Sequence, residues 1–205
     1  MPIEDLMRSL IGYVNAHHGS FYTSTNLRDN PDVCHACCIW FLTNVARDGV
    51  QPTLARLASL SKATFRVTQQ HALGGTSQPS RMVRQVMGSG RVASRADRDA
   101  LEYAIAYHEQ PATYIGDVVT FVANVVVAMR TSPQDGMIIY MLGSGGTGHV
   151  ICLRRNVGGI LIYDPNMGVM TARMAETDTW SEILRRILRW YRDHMDLQQF
   201  GYMFK

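Results

Sequence analysis

Residues 148–168, GHVICLRRNVGGILIYDPNMG, decide how the second half of this chain is read. Two apolar runs, Val150–Leu153 and Ile160–Tyr163, flank a polar turn that carries Gly158 and Gly159. That pattern predicts a β-hairpin with strands over His149–Arg154 and Gly159–Asp164. A histidine opens the first strand, and Asp164-Pro165-Asn166 closes the second. With a four-residue turn between antiparallel strands, His149 and Asp164 fall opposite each other, within hydrogen-bond reach when both side chains take one face. Such a contact sets the imidazole tautomer and leaves the other ring nitrogen free. Asn166 offers the same hold less directly, and Pro165 sets the turn.

Outward from the hairpin, Met137–Leu142 is a further β-rich run and the closing FGYMF adds a last strand. Thr179-x-x-Glu182 has the form of a capping box, opening a helix whose inner face carries Ile183, Leu184, Ile187, Leu188 and Tyr191. The first half reads as helical. Residues 2–17 place Leu6, Leu10, Ile11 and Val14 on one face. A second helix runs from Val33 to about Ala46, capped by Asp32 and closed by Gly49. One or two short helices cover 53–73 up to Gly74-Gly75, and others cover Asp97–His108 and Gly116–Arg130. Phe21–Thr25 alternates weakly as a short strand, and 75–95, rich in Gly, Ser and Arg, receives no element. Helices first and an antiparallel sheet later make an α+β fold. No repeat or linker divides the chain, so residues 1–205 are expected to form one domain.

Composition narrows the function classes. The chain is 46% hydrophobic and 18% charged with a net charge of +3, ordinary for a globular protein. Arginines recur at Arg81, Arg84, Arg91, Arg95 and Arg98, and again at Arg185, Arg186, Arg189 and Arg192. They alternate with acids and apolar residues without interleaved aromatics, so they read as solvated faces and not as a nucleic-acid platform. The N-terminus has early acids and no apolar core with a cleavage site, hence no Sec signal, and Pro2 stands where N-myristoylation needs glycine. The longest apolar run, Val118–Met129, is broken by Thr120 and Asn124 and is too short for a bilayer, so no membrane insertion is expected.

Of the four cysteines, Cys34, Cys37 and Cys38 crowd together while Cys152 stands apart, a pattern of reduced thiols and not of a disulfide framework. A thiol becomes a nucleophile as its thiolate, which a helix N-terminus and a nearby histidine favour. Cys34 lies at the start of the helix after Asp32, whose own charge opposes a thiolate unless it caps and faces away. Cys37 and Cys38 fall a turn later among Ile39, Trp40, Phe41 and Leu42, as small core residues. Gly145, Gly146 and Gly148 leave room beside His149 for a substrate backbone. Cys34, His149 and Asp164 are therefore candidates for a nucleophile, base and orienting acid. The non-enzymatic alternatives are a zinc module using Cys34, His35, Cys37, Cys38, His149 or Cys152, though zinc favours separated CxxC pairs, and a catalytically dead binding module, against which the intact Cys, His and Asp argue. The run GSGGTG at 143–148 lacks the Gly-Lys-Ser/Thr of a phosphate loop.

Cys34 with Trp40 six residues on, Gly148-His149, and Tyr163-Asp164-Pro165-Asn166-x-Gly168 together resemble the YopT/AvrPphB family of bacterial effector cysteine proteases. The order and spacing of the three candidates are similar to the family's layout. The resemblance implies a papain-like α+β fold, with a helical N-terminal half whose catalytic helix packs on a C-terminal antiparallel sheet. It implies a cysteine peptidase with Cys34 as nucleophile, His149 as general base and then acid, and Asp164 as orienting residue. No metal or organic cofactor is implied. Asn30, with Asn26 as second choice, is the candidate side chain for the oxyanion, beside the Cys34 backbone N–H. Asp32 departs from the glycine often found two positions before the nucleophile. The implied partners are a specific protein substrate and a chaperone or an immunity or inhibitor protein. The implied location is a target-cell cytoplasm, reached through a dedicated bacterial secretion system, or otherwise the producing cytoplasm. Relatives can lose an N-terminal segment by self-cleavage; the short stretch before Cys34 suggests a mature enzyme, a compact relative or an excised domain. The same triad serves amidase, transglutaminase or deamidase chemistry, for example on peptidoglycan.

Overall fold

The computed structural model describes residues 2–23, 34–60, 113–144 and 148–204. Helix α1 spans Ile3–Ala16, strand β1 Phe21–Thr23, α2 Cys34–Asp48 and α3 Val50–Ser59. Helix α4, Val118–Thr131, precedes β2 (Gly136–Gly143), β3 (Gly148–Asn156), β4 (Gly159–Asp164) and β5 (Gly168–Arg173). Helix α5, Thr177–Met195, leads into β6, Leu197–Phe204.

Among the described residues six strands form one antiparallel sheet in the order β1-β5-β4-β3-β2-β6. Strands β2 to β5 are a meander, and α5 returns the chain so that β6 pairs beside β2. Alternate positions of the central strands feed two separate cores. Ile139, Met141, Ile151, Leu153, Ile160 and Ile162 face α1, α4 and α5. Ile138, Tyr140, Val150, Cys152, Leu161 and Tyr163 face α2 and α3. A sheet buried on both faces has no polar side to alternate with, which is why β2 and β3 read as continuous apolar runs. The α+β class stands, with helices on both faces of the sheet.

Helix α2 is buried nearly all round, from Cys34 to Leu42, the pattern of a core helix. It ends at Gly49, whose positive φ of 81° and N–H to Val45 O (3.0 Å) let α3 start at the next residue. Helix α4 begins at Asp117, whose carboxylate accepts the Thr120 N–H at 2.7 Å. The capping box expected at Thr179 and Glu182 is corrected: α5 opens a half-turn earlier, at Thr177, with Glu176 as its cap residue and no side-chain cap bond. Glu182 instead holds Arg185 and Arg186 at 2.6 and 2.9 Å. Strand β5 has no counterpart among the strands expected from the sequence. The Asp32 cap, the segment 61–73, the 75–95 stretch and the helix at Asp97–His108 lie outside the described residues.

The hairpin register also needs correction. Strands β3 and β4 pair from Asn156↔Gly159 to Cys152↔Tyr163, around a turn of Val157 and Gly158 in which Gly158 takes φ 72°. The four-residue turn expected from the sequence would have set His149 directly opposite Asp164. The tighter turn moves the pairing by two residues, so His149 and Asp164 become diagonal neighbours. Side chains repeat every two residues along a strand, so an even shift keeps both on the same face.

Two glycines in the α1 region separate local from tertiary constraint. Gly12 lies on the exposed face of α1, and a Cβ there meets nothing within 4 Å. At Gly19 a Cβ would run into the Thr171 carbonyl oxygen and come within 2.8 Å of Val14 Cγ1. Gly12→Ala should therefore raise the urea unfolding free energy by about 0.5–1 kcal/mol, whereas Gly19→Ala should lower it by at least as much. An unchanged midpoint for Gly19→Ala would refute the tight seat of β5 against this turn.

Candidate active site

Three elements meet at the end of the sheet where β3 starts and β4 finishes. His149 is the second residue of β3 and Asp164 the last of β4, while Cys34 opens α2 on the neighbouring layer. His149 Nε2 lies 3.1 Å from Asp164 Oδ1, with the two side chains 3% and 0% exposed. A carboxylate only accepts, so Nε2 carries the proton in this bond. The remaining nitrogen, Nδ1, is not engaged by Asp164, and Cys34 stands near enough to act on the imidazole.

Burial by itself would strip the proton from His149. The Asp164 charge and hydrogen bond, reinforced by Cys34, outweigh that effect and raise the imidazole to about 10 from its ordinary 6.5. The ring is therefore an imidazolium across the neutral range. Cys37 and Cys38 are fully buried, and desolvation holds both thiols well above their ordinary range. Cys38 Sγ donates to Val150 O at 3.4 Å and Cys152 Sγ to Cys38 O at 3.7 Å. Their place is the core between α2 and β3, as expected of small residues in that run.

Asp164 also organises the chain around it. Its Oδ1 accepts the Asn166 backbone N–H at 2.8 Å, a side-chain-capped turn that sends the chain from β4 into β5. Asn166 Nδ2 donates to the Tyr191 hydroxyl at 3.0 Å. Tyr191, on α5, donates in turn to Asp164 Oδ1 at 3.2 Å. Its ring stacks on His149 with centroids 4.4 Å apart and planes 24° apart. Sequence reasoning placed Tyr191 only on the inner face of its helix. The available signal was chemical: a tyrosine in a buried stripe needs a partner for its hydroxyl.

Gly148 is packed as well as small, since a Cβ there would press on Met141 O at 3.2 Å. Asn30, Asn26, Asp32, Gly145 and Gly146 lie outside the described residues. Among the described residues no three His, Cys, Asp or Glu side chains converge as metal ligands. His35 turns into the core, where its Nε2 pairs with Tyr140 Oη at 2.9 Å. Among the described residues no helix is long and apolar enough to cross a membrane.

No protein-family model and no curated protein matches this sequence. The solved structures do. The crystal structure of the Pseudomonas avirulence protein AvrPphB superposes with a TM-score of 0.59 over 93% of this chain and 97% of that one, at 12% identity. The fold is papain-like. The cysteine protease-like domain PatoxP, of the Photorhabdus asymbiotica toxin PaTox, aligns at 11% identity over 96% of this chain and 57% of that chain, with a TM-score of 0.43. At that distance it adds nothing to the assignment of the fold, which AvrPphB carries.

The charge on His149 has a measurable consequence. Above about 6.5 an unfolded chain has lost this proton, whereas the folded chain keeps it up to about 10. The stabilisation is thus complete below about pH 6.5 and is lost as pH rises toward 10. In a Cys34→Ala background the Asp164 charge and hydrogen bond alone hold the imidazole up, by less than with Cys34 present, and unfolding free energy should still fall between about pH 6.5 and 8.5. The slope is at most about 1.4 kcal/mol per pH unit. Adding His149→Gln should flatten it. Equal slopes in the two variants would mean that His149 is not charged in the fold. The window stops below the range where Cys37 and Cys38 add their own losses.

Proposed function

We propose that this chain is a cysteine protease of the effector type, acting on a specific protein through Cys34, His149 and Asp164. The observation that carries the reading is the buried His149–Asp164 pair at 3.1 Å, with the Cys34 sulfur acting on the same imidazole. Its supports are the papain-like fold shared with AvrPphB and the position of Cys34 as the first residue of α2, where backbone N–H groups lack intrahelical partners.

In this mechanism the Cys34 thiolate attacks the scissile carbonyl carbon, and the carbonyl oxygen takes the negative charge. The Cys34 backbone N–H is one donor to that oxygen, and Asn30 is the proposed side-chain donor. His149 passes its proton to the leaving amine, which departs and leaves an acyl-thioester on Cys34. Water then attacks the thioester while His149 takes its proton, and the free acid leaves with the Cys34 thiolate restored beside the protonated imidazole. Asp164 keeps Nε2 engaged throughout, so that Nδ1 is the nitrogen that faces the chemistry. A producing bacterium would deliver such an enzyme through a dedicated secretion system into a target cell, where the substrate protein resides; a chaperone or an immunity protein would restrain it before that.

Brief iodoacetamide treatment at neutral pH, followed by peptide mass spectrometry, should label Cys34 ahead of Cys37, Cys38 and Cys152, and His149→Ala should remove that preference. Uniform slow labelling of all four thiols would dismiss the site. In target-cell lysate, wild type should create new protein termini that Cys34→Ala does not. Asp164→Asn should slow their appearance by about 10²–10⁴-fold, the scale of general acid–base catalysis. New muropeptides from purified peptidoglycan, without new protein termini, would assign the same triad to amidase chemistry.

A further inference from the structure

We propose that Tyr191 is a positioning residue for the His149–Asp164 pair, held in register by Asn166. This rests on the reading of Cys34, His149 and Asp164 as the reactive site. Asp164 receives its hydrogen bonds unevenly. Oδ1 accepts from His149 Nε2, the Asn166 N–H and the Tyr191 hydroxyl at 3.1, 2.8 and 3.2 Å. Oδ2 is buried with no partner among the described residues. A carboxylate is free to turn about its Cβ–Cγ bond, exchanging one oxygen for the other. The Asn166 N–H belongs to the turn that Asp164 itself closes, so it moves with the carboxylate. Tyr191 comes from α5, a different element, and so ties Oδ1 to an outside reference.

The direction of the Tyr191 proton is set as well. A phenol has one proton to donate. Asn166 Nδ2 can only donate, and at 3.0 Å it occupies a lone pair of the Tyr191 oxygen. The hydroxyl proton is thereby aimed at Asp164. Burial, and then the Asp164 charge, hold the phenol well above its ordinary range, so it remains a donor. The same ring stacks on the imidazole at 4.4 Å. One side chain thus sets the plane of His149, anchors its acceptor and covers the bond between them from water.

The test compares wild type with Tyr191→Phe, Tyr191→Leu and Asn166→Ala on two readouts. The first is the iodoacetamide rate of Cys34 across about pH 5–9, read by mass spectrometry. The second is solvent exchange of the His149 Nε2–H, read by proton NMR. Tyr191→Phe, which keeps the ring and its packing, should slow alkylation near neutral pH by about tenfold, the scale of one hydrogen bond to a charged group. Asn166→Ala should move it in the same direction by less, and Tyr191→Leu by more. The Nε2–H should exchange faster in the same order. Wild-type alkylation and exchange in Tyr191→Phe would overturn the proposal and leave Tyr191 as a core residue. Should wild-type Cys34 alkylate no faster than a free peptide thiol, the site reading fails. Exchange of the Nε2–H then decides the tie by itself, with unchanged exchange in Tyr191→Phe overturning it.

Discussion

The burial of two opposite charges at one end of a β-hairpin is the constraint on which this end of the molecule depends. His149 and Asp164 are both withdrawn from water, and an isolated charge there would cost several kcal/mol. Such a pair survives only with close geometry and with its polar atoms engaged. The 3.1 Å contact supplies the first requirement. The turn at Asn166 and the hydroxyl of Tyr191 supply much of the second. Each comes from a different part of the chain, so the hairpin, the β4–β5 turn and α5 must all be in place for the pair to form.

The sheet makes this possible by serving two cores at once. On one face α5 brings Tyr191 against the imidazole. On the other face α2 packs along the same strands, with Phe41 stacked on Tyr163 at 4.3 Å. That packing holds α2 on the sheet, and with it Cys34 near the start of β3. The four cysteines are separated by position and not by type. All four are buried, but Cys34 stands near the imidazole, while Cys37, Cys38 and Cys152 lie between helix and sheet, where desolvation keeps the first two as thiols.

Much of the architecture was legible because it rests on local pattern. Helices α1, α2 and α4, strands β2 to β4, the inner face of α5 and the last strand all follow from periodicity and turn residues. The failures have local causes too. Thr179 and Glu182 match a capping box, yet the helix opens earlier, and Glu182 pairs with two arginines on its own surface. Strand β5 follows the turn at Asn166 and has a mixed sequence, GVMTAR, whose strand state is set by its neighbours β4 and β1. The hairpin turn is two residues shorter than its sequence suggests, but the two-residue period of a strand leaves His149 and Asp164 on the same face.

By itself the sequence determined the α+β order of elements, the hairpin and the placing of Cys34, His149 and Asp164 at element ends. Those properties depend on neighbours a few residues apart, which is the range over which periodicity, capping and turn chemistry act. Only the tertiary structure decided the register of β3 on β4, the burial of the sheet on both faces and the arrival of Tyr191 over His149. These depend on how separate elements pack, and hydrophobic packing carries little directional information along the chain. A tyrosine in a helical stripe is legible as core; which polar group waits for its hydroxyl is settled by the approach of α5 to the end of β4.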